Sequence, residues 1–256
     1  MAVSAVLETT NLGIAFGGLQ ALDDIHFSIR EGEIMGLIGP NGAGKTTVFN
    51  LLTSVYTPSK GEIRLGGDSI VGKKTYQITR NGIARTFQNI RLFKNMTVLE
   101  NVETAMNSQM HYSIFSGICR LPSSRREEKE FSDRAHRLLQ IFGLDSSSED
   151  MAKNLPYGKQ RKLEIARALA SAPKILLLDE PAAGMNPTET NELMRTIRLI
   201  RDQFGTAILL IEHDMNFVMG ICERIVVLDY GKIIAEGTPE AVRHNPKVIT
   251  AYLGGE

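Results

Sequence analysis

Apolar and polar positions alternate over residues 25–29, where His26 and Ser28 separate Ile25, Phe27 and Ile29. A period of two predicts a half-buried strand there. Glu31-Gly32 reads as a turn. Residues 33–38 are an apolar strand that runs into a glycine-rich loop, and a helix is expected from Gly44 to Val55. Pro58, Gly61 and Gly66-Gly67 punctuate short strands. Thr97-Val98-Leu99-Glu100 has the form of a capping box opening a helix. Residues 125–142 are charge-rich, with Ala135, Leu138, Leu139 and Phe142 along one side, which predicts an amphipathic helix. Asp145-Ser146-Ser147-Ser148 reads as a loop. Helix and strand then alternate: helix over 159–170, buried strand over 174–178, and a helix capped by Asn186-Pro187-Thr188-Glu189 carrying Leu193, Ile197, Ile200 and Phe204. A strand over 206–211, a helix over 214–222 and a strand over 224–229 follow. Thr238-Pro239 starts a short helical tail. The alternation predicts an α/β fold with a largely parallel sheet, interrupted by a small helical insertion near 92–154.

The chain of 256 residues is long enough to bury a full core. Its 29 Lys+Arg balance 29 Asp+Glu. A protein that grips nucleic acid by neutralising phosphates carries a basic excess, so no nucleic-acid partner is expected. Cys119 and Cys222 lie far apart without metal-ligand spacing; both read as small buried hydrophobes in a reducing compartment. The first residues hold too short an apolar run for a signal peptide. The longest apolar stretches are strand-sized, well short of the ~20 residues a membrane helix needs. A membrane role is therefore expected to act through a partner.

Gly39-Pro40-Asn41-Gly42-Ala43-Gly44-Lys45-Thr46 matches G-x-x-x-x-G-K-[ST] between an apolar strand and a helix. Glycines let consecutive backbone N–H groups converge on phosphate oxygens, and the helix N-terminus adds partial positive charge. Lys45 places an ammonium against the β- and γ-phosphates, Thr46 offers a hydroxyl to Mg²⁺, and Thr47 follows at the start of the helix. ATP and Mg²⁺ are thus the expected cofactors. Ile175-Leu176-Leu177-Leu178-Asp179-Glu180 is a buried strand ending in two carboxylates, and strand C-termini face the ligand crevice in a parallel sheet. Asp179 is expected in the Mg²⁺ shell, and Glu180 is the candidate to polarise an attacking water.

With these motifs the sequence resembles the ATP-binding subunits of ABC transporters over nearly its whole length. The resemblance implies a P-loop NTPase core of the ABC type with an inserted helical subdomain. Residues 1–91 and 155–236 would form the core, 92–154 the helical subdomain, and 237–256 a helical tail. Gln88 in Arg85-Thr86-Phe87-Gln88-Asn89 looks like the Q-loop glutamine, whose amide would ligate Mg²⁺ and sense the γ-phosphate. His213 in Ile211-Glu212-His213-Asp214 looks like the switch histidine. Phe16 stands where the family stacks an aromatic ring on adenine, and Asn186 stands in the D-loop where Asp is usual. Leu155-Pro156-Tyr157-Gly158-Lys159-Gln160 occupies the place of the signature, usually Leu-Ser-Gly-Gly-Gln. Pro156 removes both a hydroxyl and a backbone N–H from it.

The finer pattern is similar to the longer-insert ATPase subunit of high-affinity branched-chain amino acid importers. It rests on the segments 85–93, 96–102, 155–158, 180–184 and 211–215, and on a tail from Ala235-Glu236-Gly237-Thr238-Pro239 to Ala251-Tyr252-Leu253-Gly254. Urea and lipopolysaccharide transport ATPases share part of this pattern. The resemblance implies a second ATPase subunit, identical or not, two membrane permease subunits and an extracytoplasmic solute-binding protein. It also implies a peripheral position on the cytoplasmic face of a bacterial or archaeal plasma membrane. Leu92 and Phe93 are expected to face the permease. A non-transport ABC ATPase usually has a long coiled-coil insertion or two cassettes in one chain. A purely regulatory nucleotide-binding module would be expected to lack Glu180 or His213. A GTPase would carry an Asn-Lys-x-Asp guanine reader. This sequence has neither the first nor the last of these features and carries both Glu180 and His213. Solute import is therefore expected, with a urea or lipopolysaccharide transport ATPase as the alternative and a non-transport ABC ATPase as the less favoured one.

Overall fold

The computed structural model describes residues 5–106 and 122–253. Two sheets share the structure. Strands β1 (Ala5–Phe16), β2 (Leu19–Arg30), β4 (Lys60–Leu65) and β5 (Asp68–Ser69) form an antiparallel sheet in the order β2-β1-β4-β5. The second sheet runs β10-β9-β3-β8-β7-β6, built from β3 (Ile34–Ile38), β6 (Ile83–Arg85), β7 (Ile175–Asp179), β8 (Ala207–Ile211), β9 (Arg224–Asp229) and β10 (Lys232–Gly237). Its strands are parallel except β10, which pairs antiparallel with β9.

The parallel strands are apolar along their middles, with Arg85, Asp179, Arg224 and Asp229 only at strand ends, because both of their faces are covered. Ile175 and Leu177 of β7 join Ala207, Leu209 and Ile211 of β8 in a core shared with the antiparallel sheet and helix α1 (Lys45–Leu52). Leu176 and Leu178 join Ile208 and Leu210 on the opposite face. There they meet α5 (Tyr157–Ala170), α6 (Pro187–Phe204) and α7 (Met215–Ile221).

Between β6 and α5 lie α3 (Val98–Met106) and α4 (Pro122–Ile141); a short helix α2 (Thr75–Asn81) precedes β6. Thr97 and Glu100 form the expected capping box, each side chain accepting the other's backbone N–H, at 3.1 and 2.7 Å. Ala135, Leu138, Leu139 and Phe142 are all buried, as their spacing requires. Asn186 and Glu189 cap α6 in the same reciprocal way, both bonds at 3.0 Å. The tail comprises α8 (Pro239–Arg243) and α9 (Pro246–Leu253).

Several expectations need correction. Phe204 is half exposed and leaves the buried stripe of α6 to Leu193, Ile197 and Ile200. The expected loop at 145–148 contains a 3₁₀ turn, Asp145–Ser147. The first helix stops at Leu52 rather than Val55. Cys222 is free and buried, which pushes its thiol pKa well above the usual range. Cys119 lies outside the described residues.

Candidate active site

The glycine-rich loop leaves β3 at Ile38 and closes on α1. Gly39 has φ 150°, and a Cβ there would stand 2.1 Å from the Leu228 carbonyl of β9. Only glycine lets the chain turn off the sheet against that neighbour. Gly44 is the left-handed N-cap of α1, whose first turn carries no acidic residue, so its positive end is not neutralised locally. Lys45 is buried, and its Nζ donates to the carbonyls of Gly39 at 2.7 Å and Pro40 at 2.8 Å. Burial lowers the Lys45 pKa; the carboxylates of Glu180 and Asp179 oppose that shift. Asn41, Gly42 and Thr46 are exposed, Pro40 and Thr47 half-buried, and Ala43 buried. A cavity of about 820 Å³ lies between this loop and Pro246, Lys247 and Thr250 of the tail.

The two carboxylates at the end of β7 face different partners. Asp179 is buried, accepts Arg85 Nη2 at 2.9 Å, and donates its own N–H to Thr86 Oγ1 at 3.3 Å. Glu180 stands just past the strand with φ 48°, its N–H donating to the Ile211 carbonyl at 2.9 Å. Its Oε2 accepts Gln88 Nε2 at 2.9 Å, and its Oε1 lies 3.0 Å from His213 Nε2. An ionised carboxylate only accepts, so Nε2 carries the proton when Glu180 is charged. The parallel register explains the convergence: Asp179 pairs with Ile211, so both strands end at one level beside the loop from β3.

The model of the ABC transporter family matches residues 22–183, well over half of the chain. The chain belongs to the ABC transporter ATP-binding family. A second model, described as the branched-chain amino acid ATP-binding cassette transporter, matches residues 232–256 of this ABC protein. The high-affinity branched-chain amino acid transport ATP-binding protein LivG of Escherichia coli K12 is 50% identical over 97% of this chain and 98% of its own. The lipopolysaccharide export system ATP-binding protein LptB of the same organism is 33% identical over 98% of both chains. Among solved structures, the ADP conformation of MJ1267, an ATP-binding cassette of an ABC transporter, superposes with a TM-score of 0.85. It shares 30% identity and covers 99% of this chain and 100% of that one. The fold is therefore the ABC ATPase fold, and the protein is a nucleotide-binding ATP hydrolase of that family.

The signature segment of this ABC protein departs from expectation in its geometry. Its helix begins at Tyr157, two residues before the expected start at 159. Pro156 is the N-cap and supplies no side-chain bond. Leu155 is buried and Lys159 half-buried, and Gln160 turns back to donate its Nε2 to the Leu155 carbonyl at 2.8 Å. The Tyr157 ring packs on Gly184 of the same chain, where a Cβ would come within 3.1 Å of it. Gly158 is buried under Glu189, whose carboxylate oxygen would be 2.5 Å from a Cβ. Phe16 meets Tyr56 edge-on, with ring centroids 5.2 Å apart, and keeps 44% of its surface exposed. Among the described residues, neither Phe16 nor 155–160 hydrogen-bonds to Lys45, Gln88, Asp179, Glu180 or His213.

Four charged residues at the site are absent from the sequence assignments. Arg85 pairs with Asp179. Arg161 and Glu164 form a fully buried ion pair at 2.8 Å beneath the Gln88 loop. Glu212 accepts the N–H of Ala182 at 2.7 Å and that of His213 at 3.0 Å, joining the two loops that flank Glu180. Burial raises its pKa. One signal was readable: Gly158, Arg161, Ile165 and Leu169 share a helical face, so an arginine stood on the apolar side of α5.

Proposed function

We propose that this protein is the ATP-hydrolysing subunit that energises import of branched-chain amino acids through a separate membrane permease. The observation that carries the hydrolytic part is Glu180, held by Gln88 and His213 beside Lys45. In this reading Glu180 takes the proton of the attacking water, and His213, sharing its carboxylate, orients it. Lys45 and the loop amides from Gly39 to Thr46 hold the phosphates, and Phe16 stacks on the adenine.

The chemistry of the donor set fits Mg²⁺: the Thr46 hydroxyl, the Gln88 amide oxygen and the Asp179 carboxylate are hard oxygen ligands. The ion would supply neutralising charge at the β- and γ-phosphates. A loop of amides and one lysine suits a polyphosphate, which accounts for ATP as cofactor and substrate in one.

The chain divides, in this reading, into the core 1–91 and 155–236, the helical subdomain 92–154 and the tail 237–256. Two ATPase subunits pair head to tail, each phosphate loop facing the other's 155–160 segment. Two permease subunits and an extracytoplasmic solute-binding protein complete the system. Among the described residues no helix is long and apolar enough to cross a membrane; in this reading the subunit lies peripherally on the cytoplasmic face, bound through its permease. The 50% identity to LivG against 33% to LptB favours amino acid import over lipopolysaccharide export.

The test is reconstitution of the native complex in vesicles with ATP inside and radiolabelled leucine, isoleucine, valine or urea outside, together with the solute-binding protein. ATP-dependent uptake of the three amino acids is expected. Uptake of urea alone would overturn the solute assignment while leaving the ATPase assignment intact.

A further inference from the structure

Arg161 is among the largest fully buried side chains of the protein. A guanidinium without solvent is costly unless its charge and its donors are met. Glu164, one turn further along α5, supplies the opposite charge at 2.8 Å. The remaining donors go to backbone carbonyls of two loops: Nη1 to Phe87 at 2.7 Å, and Nη2 to Gln88 at 2.9 Å and Glu180 at 3.1 Å. Glu164 extends the same grip by accepting the N–H of Arg91 at 3.0 Å. Nε finds no partner. The pair is thus not optimised for satisfying every polar atom, and apolar side chains of similar volume often serve stability as well as a buried ion pair. A planar fork with fixed donor directions offers something apolar packing cannot, namely the relative position of its acceptors.

Two of the three acceptors, Gln88 and Glu180, belong to residues whose side chains meet each other at 2.9 Å. Glu180 needs such support. Its φ of 48° lies in the left-handed region, which a residue with a Cβ adopts only when its surroundings over-determine it. Its N–H is fixed by Ile211 and its carbonyl by Arg161, and the Ala182 N–H two residues on is fixed by Glu212. Of these restraints, Arg161 alone also reaches the Gln88 peptide.

We propose that Arg161 is a positioning residue that holds the Gln88 and Glu180 peptides in one register, and so aims the Glu180 carboxylate. This rests on the reading of Glu180 as the base. Because Arg161 sits in the first turns of the helix opened by 155–160, the same link ties the signature segment to this chain's own carboxylate.

The test uses the full-length protein and separates turnover from nucleotide affinity. Arg161→Lys keeps a cation beside Glu164 but cannot present the fork. Its melting temperature should stay within about 2–4 °C of wild type, the shift that ~1 kcal/mol produces in a chain of this size, and its affinity for a nonhydrolysable ATP analogue within about twofold. Its kcat should fall by about tenfold or more, since a misplacement near 1 Å can cost ~10² in rate. The double variant Arg161→Met/Glu164→Leu removes both charges, so it folds without an unpaired ion and should show the same loss in kcat. In the Glu180→Gln background, Arg161→Lys should add no further loss in single-turnover hydrolysis. Unchanged kcat in either variant would overturn the proposal. So would a kcat loss that only tracks the unfolded fraction, or an equal loss on the Glu180→Gln background. A Glu180→Gln protein with normal turnover would instead remove the base assignment itself, whatever the Arg161 variants do.

Discussion

The guanidinium of Arg85 meets the carboxylate of Asp179 at 2.9 Å, with both side chains more than nine-tenths buried. Arg85 Nη1 also donates to Asn50 Oδ1 of α1 at 2.7 Å, and the rings of Phe49 and Phe87 flank the cation at 5.4 and 5.1 Å. The acidic end of β7 is thereby tied both to the neighbouring strand and to the helix that follows the phosphate loop. Breaking a buried pair by removing one partner leaves an uncompensated charge, at a cost of about 3–5 kcal/mol. Arg85→Met should therefore lower the melting temperature by roughly 2–4 °C per kcal/mol for a chain of this size. Adding Asp179→Asn should recover part of that loss. Calorimetry of the single and double variants checks this; an unchanged melting temperature in Arg85→Met would show that the pair contributes nothing.

Glu180→Gln keeps an amide oxygen that can accept from Gln88 or His213, but it has no basic carboxylate. Steady-state ATP hydrolysis should fall by about 10²–10⁴-fold. Binding of a nonhydrolysable analogue should persist, because Lys45 and the loop amides are untouched. Near-normal turnover would exclude Glu180 as the base.

Pro156 caps α5 without a hydroxyl. A serine there would gain an N-cap bond of about 1 kcal/mol and offer a hydrogen bond to a charged phosphate worth roughly 1.5–3 kcal/mol. ATP-dependent self-association of the Glu180→Gln protein should accordingly be weak and should tighten by about tenfold or more on Pro156→Ser, as measured by sedimentation. The Tyr157 ring, resting on Gly184 of its own chain, stays as it is in this variant. A tight homodimer with Pro156 still present would mean that backbone amides from Gly158 onward suffice.

The expected contact of Leu92 and Phe93 with a permease divides in two. Leu92 packs against the core, whereas the Phe93 ring is half exposed, with the Arg167 guanidinium 5.2 Å from its centroid. The Phe93 backbone is fixed from both sides by Asn101, at 3.0 and 3.1 Å. Phe93→Ser should thus leave the loop and the ATPase rate of the isolated subunit in place while lowering ATP-driven uptake by the assembled complex. Equal proportional losses in both assays would assign Phe93 to the fold instead.

Unbroken apolar runs marked the parallel strands, since Ile175 to Leu178 and Ala207–Ile211 are buried on both faces. The phosphate loop was equally legible, because its chemistry is a contiguous string of residue types. β1 was not. Its alternation breaks where Asn11, at φ 48°, sits in a register shift between Thr9 and Leu12, so buried residues fall out of a period of two. Helix α2 buries only Ile78, too little to leave a stripe.

At the site, the sequence by itself determined the residues whose roles follow from local order: Gly39 to Thr46 on one turn, Asp179 and Glu180 at one strand end, and His213 just past another. Tertiary structure alone decided how those pieces are held. Arg85 finds Asp179 across the sheet, Glu212 bridges to Ala182, and Arg161 reaches Phe87, Gln88 and Glu180 from a different helix. A charged residue on a helix face or after a strand looks the same in sequence whether solvent or protein meets it. Burial decides between the two, and burial depends on which distant segments the sheet order and its parallel register bring alongside.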